Sequence, residues 1–508
     1  MRHIVALDVG TTTLRCHILD ECAITIATAV DKVELLYPKP SYVEIDPDQL
    51  WNAILKVIKD AVQASKIDVK TIACFGISTQ RGSCITWNLD TGKHYHRFIT
   101  WKDLRADSMV REWNSSLTMK SLRLGSHFLY TLTRNRRYRA GSGLKLMNTQ
   151  MTLRLAWALN HVPGLKEAAE SGKAVFGGVD SWLLYKLTGK HISDVSSASA
   201  TGLYDPFSMC WASWLMNIIK IPPSMFPQVV DTAGKFGDTP VDIFGVPVPI
   251  TCCMADQAAS LFGSGCFQAG DIKVTMGTGT FLDVNTGKQA HASITGLYPL
   301  VAWKIGDELA YMVEGSSNDN GTLIEWTKSL GIIQDPSEMS SLASSVDDSD
   351  GIYFVPAFSG LQAPINDQSA ATGLLGLKPT SGKAHIVRSI LESLVFRIVL
   401  LYDTVCAETR KSYSSIRVDG GVSLNDFMLQ LLADMTGLVV ERPANTEMAI
   451  LGVSFLSGLQ CGIWHDKEEL RKLKCSGSLF EPNKIRNKEY QPIINRWKKA
   501  VERFRNWY

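Results

Sequence analysis

Apolar residues recur along this chain with two periods, and the switches between them mark out its elements. Residues 3–7 form a mostly apolar run that predicts a short buried strand ending at Asp8. A second run at 16–19 predicts another strand beyond the turn Gly10-Thr11-Thr12-Thr13. Leu50, Ile54, Val57, Ile58 and Ala61 then lie on one helical face, behind a capping Asp46 and a first-turn Pro47. Strands are predicted at 71–77 and 84–87, and 174–186 reads as a strand running into a helix. The small-residue patch 196–201 suits close packing of a loop against a helix.

The second half repeats the opening layout. Strand 272–276 breaks into Gly277-Thr278-Gly279-Thr280, and a further strand follows. Glu314-Gly315 ends a strand, residues 321–326 begin a helix, and 355–360 re-enters the core. Val387, Ile390, Leu391, Leu394, Ile398, Leu401 and Val405 make a single stripe on helix 386–405, the mark of core packing. Strand 416–418 ends at Asp419-Gly420-Gly421 before a helix holding Asn425, Leu429 and Leu432. Helices at 449–459, rich in small residues, and at 493–504 close the chain. Two strand–Gly/Thr turn–strand units, each opening half of a long chain, point to a duplicated architecture with a nucleotide between the halves.

Length and composition narrow this picture. A chain of 508 residues is too long for one core, so two large domains are expected, divided as 1–263 and 264–508. The net charge of +2 offers no overall field for nucleic acid or an acidic membrane. Helix 386–405 carries Arg388, Glu392, Arg397 and Asp403, so it is no membrane span. The eleven cysteines are an odd count without a CxxC pair or regular spacing, which suits a reducing compartment, and the chain enters its first strand without a basic-then-apolar leader. Both features point to the cytoplasm. The oligomeric state is left open, and a homodimer is compatible with the sequence.

Candidate chemistry gathers at the turns. Glycines at 10, 277 and 279 let backbone amides face an anion, and the threonines add hydroxyl donors. Taken alone, such a turn between strands is more often a plain hairpin. Asp8 changes the weighting, because a carboxylate beside a phosphate turn is what magnesium needs, directly or through water. Asp256 follows an apolar run and is a candidate base, and the small-residue link 263–270 is a candidate hinge. Gly421 and Asn425 open a helix, a ready anion site. Arg81 follows a buried strand and can face a cleft as readily as solvent. The four arginines of 134–139 read as a mobile solvated loop, and His94 with His96 lacks a third ligand for a metal.

The ordered set LDVGTTTLR (7–15), STQRGS (78–83), W-x-D-x-R (101–105), VDSWLLYKLTG (179–189), ADQAASLFG (255–263), MGTGTF (276–281), VPAFSGLQAP (355–364) and RVDGGVSLNDF (417–427) resembles the FGGY carbohydrate kinases. YPKPSYVEIDPDQLW (37–51) and WKKAVERF (497–504) are similar to the glycerol kinase branch. The resemblance runs the whole length. It implies an α/β fold of two ribonuclease-H-like domains, of the actin-like ATPase and hexokinase type, with a cleft between them. It implies ATP with Mg2+ and phosphorylation of glycerol to glycerol 3-phosphate.

Residue by residue, the resemblance puts Asp256 at the catalytic base and Gln257 at a substrate-binding amide. Arg81, Trp101 and Phe281 match positions lining the polyol pocket. Thr11, Thr12 and Thr13 match the first phosphate hairpin, with Arg15 at a nucleotide contact and Asp8 at the magnesium position. Thr278 matches the second phosphate turn. Gly321, Gly421 and Asn425 match the adenosine side, where Glu325 stands in place of the usual Gln.

Three departures bear on substrate. Gly82 replaces the glutamate of an Arg-Glu pair, Thr149 aligns near the pocket tyrosine, and residues 367–371 depart from an Asp-Pro-x-Ala-Arg-Gly run. Each lost hydrogen bond between a charged acceptor and a bound hydroxyl costs about 1.5–3 kcal/mol, roughly tenfold to a hundredfold in affinity. A kinase for another small polyol or sugar therefore stands as an alternative. So does a nucleotide-gated regulatory protein with little kinase activity.

Overall fold

The computed structural model describes residues 1–473 and 477–508. In its first half, apolar strands β1 (His3–Val9), β2 (Thr13–Leu19) and β3 (Thr25–Lys32) form an antiparallel meander. Helix α1 (Pro47–Ser65) starts where Asp46 accepts from the amides of Asp48 and Gln49. It lays Leu50, Ile54, Val57, Ile58 and Ala61 on the sheet. Strand β4 (Ile72–Thr79) runs parallel to β1, and their register sets Asp8 opposite Ser78.

A helical hairpin follows, α2 (Leu117–Thr133) and α3 (Arg136–Ser142). The arginine-rich segment 134–139 is therefore not a mobile loop. Asn135 caps α3 by accepting from the Arg137 amide at 2.9 Å, and Asp205 pairs with the Arg137 guanidinium at 2.6 Å. The patch 196–201 is likewise largely helical, because Asp194 accepts from the amides of Ser196 and Ser197 and starts a turn over Val195–Ser199. Strands β5 (Ala233–Asp238) and β6 (Pro249–Ala255) complete the sheet in the order β5-β6-β4-β1-β2-β3. Helix α4 (Asp256–Gly263) leaves the end of β6.

The second half rebuilds the same plan. It contains β7 (Ile272–Met276), β8 (Thr280–Gly287), β9 (Tyr298–Ile305), β10 (Glu308–Ser317), α5 (Gly321–Ser329) and α6 (Lys383–Thr409). Then come β11 (Ser415–Asp419), α7 (Asp426–Thr436), β12 (Val439–Arg442), α8 (Met448–Gln460), β13 (Ser478–Phe480) and α9 (Lys484–Phe504). The sheet order is β9-β10-β8-β7-β11-β12-β13. Its central run β10-β8-β7-β11-β12 has the order and directions of β3-β2-β1-β4-β6. The expected α/β duplication is thus observed strand for strand.

Between the halves, α4 and α8 cross with almost no side chain in the way. A Cβ on Gly452 would stand 1.9 Å from the Ala259 carbonyl oxygen, and one on Gly263 would stand 2.1 Å from that of Met448. Helix α8 also rests on the first sheet, where Gly76 faces the Val453 carbonyl and Ser457. Ala258, Ala259, Phe262, Val453 and Leu456 form a core shared by the two halves. No helix of the described residues is long and apolar enough to cross a membrane.

Candidate active site

Both Gly/Thr turns reach one cavity of about 2650 Å³ between the sheets. The Gly10 amide donates to the Thr13 carbonyl and the Gly277 amide to the Gly279 carbonyl, each at 3.0 Å, so each turn is closed by the amide of its first glycine, over three residues in one and two in the other. Asp8, Thr11, Thr12, Thr13, Arg15 and Thr278 line this cavity, as do Arg81, Gly82, Trp101, Thr149, Asp256, Gln257 and Phe281. Gly321, Glu325, Gly421 and Asn425 line it too. Every residue that the family resemblance singled out one by one thus lines the same space. Some are already engaged. Asn425 caps α7 through the Met428 amide, and the Gly321 amide donates to the Gly277 carbonyl, tying α5 to the second turn.

Asp256 opens α4 where its carboxylate meets two donors, the Gln257 amide at 2.7 Å and Arg81 Nε at 3.3 Å. Burial raises its proton affinity above the ordinary aspartate range, and Arg81 works against that rise. Arg81 Nη2 also donates to Glu314 Oε2 at 2.5 Å. Burial pushes Glu314 up to about 8, opposed by Arg81 and reinforced by Asp283. Glu314 and Asp256 therefore hold the guanidinium from opposite halves of the chain.

Register explains the network behind this pair. Lys273 stands opposite Asp283, which stands opposite Glu314, so three charged side chains form a row across β7, β8 and β10. The buried Lys273 ammonium has Asp283 at 2.7 Å, the Gln257 carbonyl at 2.8 Å and Thr275 Oγ1 at 2.6 Å. With its oxygen bound to Lys273, the Gln257 amide keeps its NH2 donors for the cavity. Asp419, at the end of β11, accepts from Thr275 at 2.5 Å and from Ser260 at 2.6 Å. Sequence reasoning missed Lys273, Asp283 and Glu314 as members of the site. Their one signal was a charged residue set directly beside apolar ones within a strand.

Gly82 lies in a closely packed stretch of the cavity wall. Its φ is +77°, and a Cβ there would lie 2.7 Å from the Thr149 carbonyl and 2.9 Å from Trp101 Cβ. Trp101 Nε1 donates to Thr11 Oγ1 at 2.8 Å, linking this wall to the first Gly/Thr turn. Tyr298, on the opposite half, brings a phenol to the same wall. It hydrogen-bonds with the Thr149 side chain and donates to the Met147 sulfur. Sulfur is a weak acceptor, so this hydroxyl can be drawn to a better one. Tyr298 was not foreseen; in sequence it lies 149 residues from Thr149.

Asp8 is the carboxylate that suits a magnesium ion. Ser78 donates to one oxygen at 2.8 Å, while the other has, among the described residues, Arg15 at 3.9 Å. Burial pushes Asp8 up to about 7, offset in part by Ser78 and reinforced by the charge of Asp256, so an added cation would relieve an uncompensated charge. Among the described residues no three His, Cys, Asp or Glu side chains form a ready-made metal cage. An ion here would draw its remaining ligands from water and phosphate oxygens, as magnesium commonly does.

Two matching sheets that face each other across a cleft lined by paired Gly/Thr turns define a protein of the actin-like ATPase class. The chain belongs to the FGGY family of carbohydrate kinases, whose N-terminal domain model matches residues 3–263 and whose C-terminal domain model matches residues 272–461. It is 46% identical to glycerol kinase 5 of Danio rerio over 99% of this chain and 97% of that one. It is 45% identical to glycerol kinase 5 of Homo sapiens over 99% and 96%. The structure of Plasmodium falciparum glycerol kinase with ADP superposes with a TM-score of 0.86 at 27% identity, covering 99% of this chain and 98% of that one.

Proposed function

We propose that this protein transfers the γ-phosphoryl group of ATP to a primary hydroxyl of glycerol, giving glycerol 3-phosphate. One observation carries the reading: the Asp256 carboxylate opens onto the cavity that both Thr turns line, with Arg81 beside it. Glycerol kinase is also the name carried by the relatives described above. Asp256 accepts the proton of the acceptor hydroxyl as the oxygen attacks phosphorus. Its raised proton affinity suits that task, since a base works best when its pKa approaches the working pH. Gln257 and Arg81 orient the hydroxyls. The Thr11–Thr13 and Thr278 turns, with Arg15, hold the phosphate chain in line. Gly321, Glu325, Gly421 and Asn425 bound the adenosine side. Asp8 would hold magnesium, directly or through water, and such an ion would supply charge neutralisation for the phosphate oxygens. The two domains of this reading are residues 1–263 and 264–508. A cytoplasmic location fits the ten described cysteines, none of which is in a disulfide.

Asp256→Asn tests the assignment. Phosphoryl transfer is expected to fall by about 10²–10⁴-fold while ATP affinity by equilibrium binding stays nearly intact. Undiminished transfer would place the base elsewhere. A second reading keeps the chemistry and changes the acceptor. It is favoured by the wall of Gly82, Thr149 and Tyr298, and a turnover panel of glycerol, dihydroxyacetone and pentitols separates the two.

A further inference from the structure

The hairpin of α2 and α3 turns an apolar stripe outward. Leu117, Leu124, Phe128 and Leu132 share one helical face and are 81, 72, 63 and 66% exposed. The opposite face is satisfied, with Met119 and Leu122 packed beside Met109 and Trp113. Large apolar side chains gathered on one exposed face mark an interaction site.

The charge around the stripe is one-sided. Residues 117–145 contain seven lysines and arginines and no aspartate or glutamate, in a chain whose net charge is only +2. Arg123 turns inward to the Leu144 carbonyl and Arg137 pairs with Asp205. Lys120, Arg134, Arg136 and Lys145 are exposed and form no ion pair among the described residues.

We propose that this hairpin seats the protein on an anionic lipid bilayer. The stripe enters the boundary between headgroups and acyl chains, and the flanking cations meet lipid phosphates and carboxylates. A second copy of the chain fits less well, because pairing two stripes would bring two basic hairpins together. The inner face of the hairpin, including Leu122, Ser126 and Tyr138, lines the cleft cavity. Seating therefore brings the mouth of the cleft beside the bilayer.

The test is co-sedimentation of the full chain with phosphatidylcholine vesicles, with and without phosphatidylserine. Binding is expected only with phosphatidylserine, weakening as salt rises. Leu124→Glu with Phe128→Glu should weaken it by about a hundredfold or more, with an unchanged thermal unfolding midpoint. Lys120→Ala with Arg136→Ala should weaken it by about thirtyfold. The proposal is overturned by absence of binding to phosphatidylserine vesicles at low salt, or by binding that both double variants leave intact. It is equally overturned if sedimentation velocity shows a dimer that Leu124→Glu with Phe128→Glu dissolves.

Discussion

Replacing Gly82 by alanine tests how the cavity wall beside Trp101 and Thr149 is built. The residue sits at φ +77°, where an ordinary side chain costs roughly 1–2 kcal/mol. The new methyl would also stand 2.7 Å from the Thr149 carbonyl oxygen and 2.9 Å from Trp101 Cβ. Neither is the loose end of a flexible chain, and overpacking of this kind costs about 1–3 kcal/mol. Gly82→Ala is therefore expected to lower stability by about 2–5 kcal/mol, read as a lower urea midpoint at unchanged slope. The same clash awaits Gly82→Glu, the residue of the wider family. That change, alone or with Thr149→Tyr, is expected to destabilise the chain without raising glycerol turnover. A urea midpoint for Gly82→Ala equal to that of the parent would refute the close approach. The loss of the family's glutamate would then be a simple deletion, open to repair.

Removing the phenol hydroxyl by Tyr298→Phe is expected to raise the acceptor KM by up to about tenfold with kcat little changed, as steady-state kinetics would show; equal losses in kcat and kcat/KM would contradict a ground-state contact. Gly452→Ala sets a methyl 1.9 Å from the Ala259 carbonyl, so about 3 kcal/mol or more of stability is expected to be lost, and a neutral result in denaturant would show that α4 and α8 can part freely. Glu408 offers a pH test. Burial would raise its pKa, but donors from His291, Thr295, Ser293 and the Ile294 amide hold it at about 2, against the usual 4.5. The folded state thus binds the proton more weakly than the unfolded one. The resulting stability, about 3 kcal/mol, is complete above pH 4.5 and is lost as pH falls toward 2. In Glu408→Gln that share of the acid slope should vanish from urea titrations across this range; an unaltered slope would contradict the assignment.

What the chain disclosed in advance, and what it hid, follows from how each feature is encoded. The two Gly/Thr turns, the cap at Asp46 and the stripe of α6 are written in consecutive or helically spaced residues, so periodicity and turn chemistry reach them. Glu314 meets Arg81 across 233 positions, and Tyr298 meets Thr149 only because β9 lies at the edge of the second sheet. Register decides such meetings, and no local pattern states it. The hairpin was misread for another reason. Its apolar face points outward, so the usual link from amphipathic spacing to core packing fails, and a run of arginines resembles a solvated loop. Gly263 marks the limit of composition as a guide. Read as the start of a hinge, it holds the Met448 carbonyl close enough to exclude any side chain. A small residue can thus mark tight packing as well as freedom. Any closure of the cleft would have to work around a crossing of α4 and α8 that is close-packed, and the joint between the halves is firmer than a flexible linker.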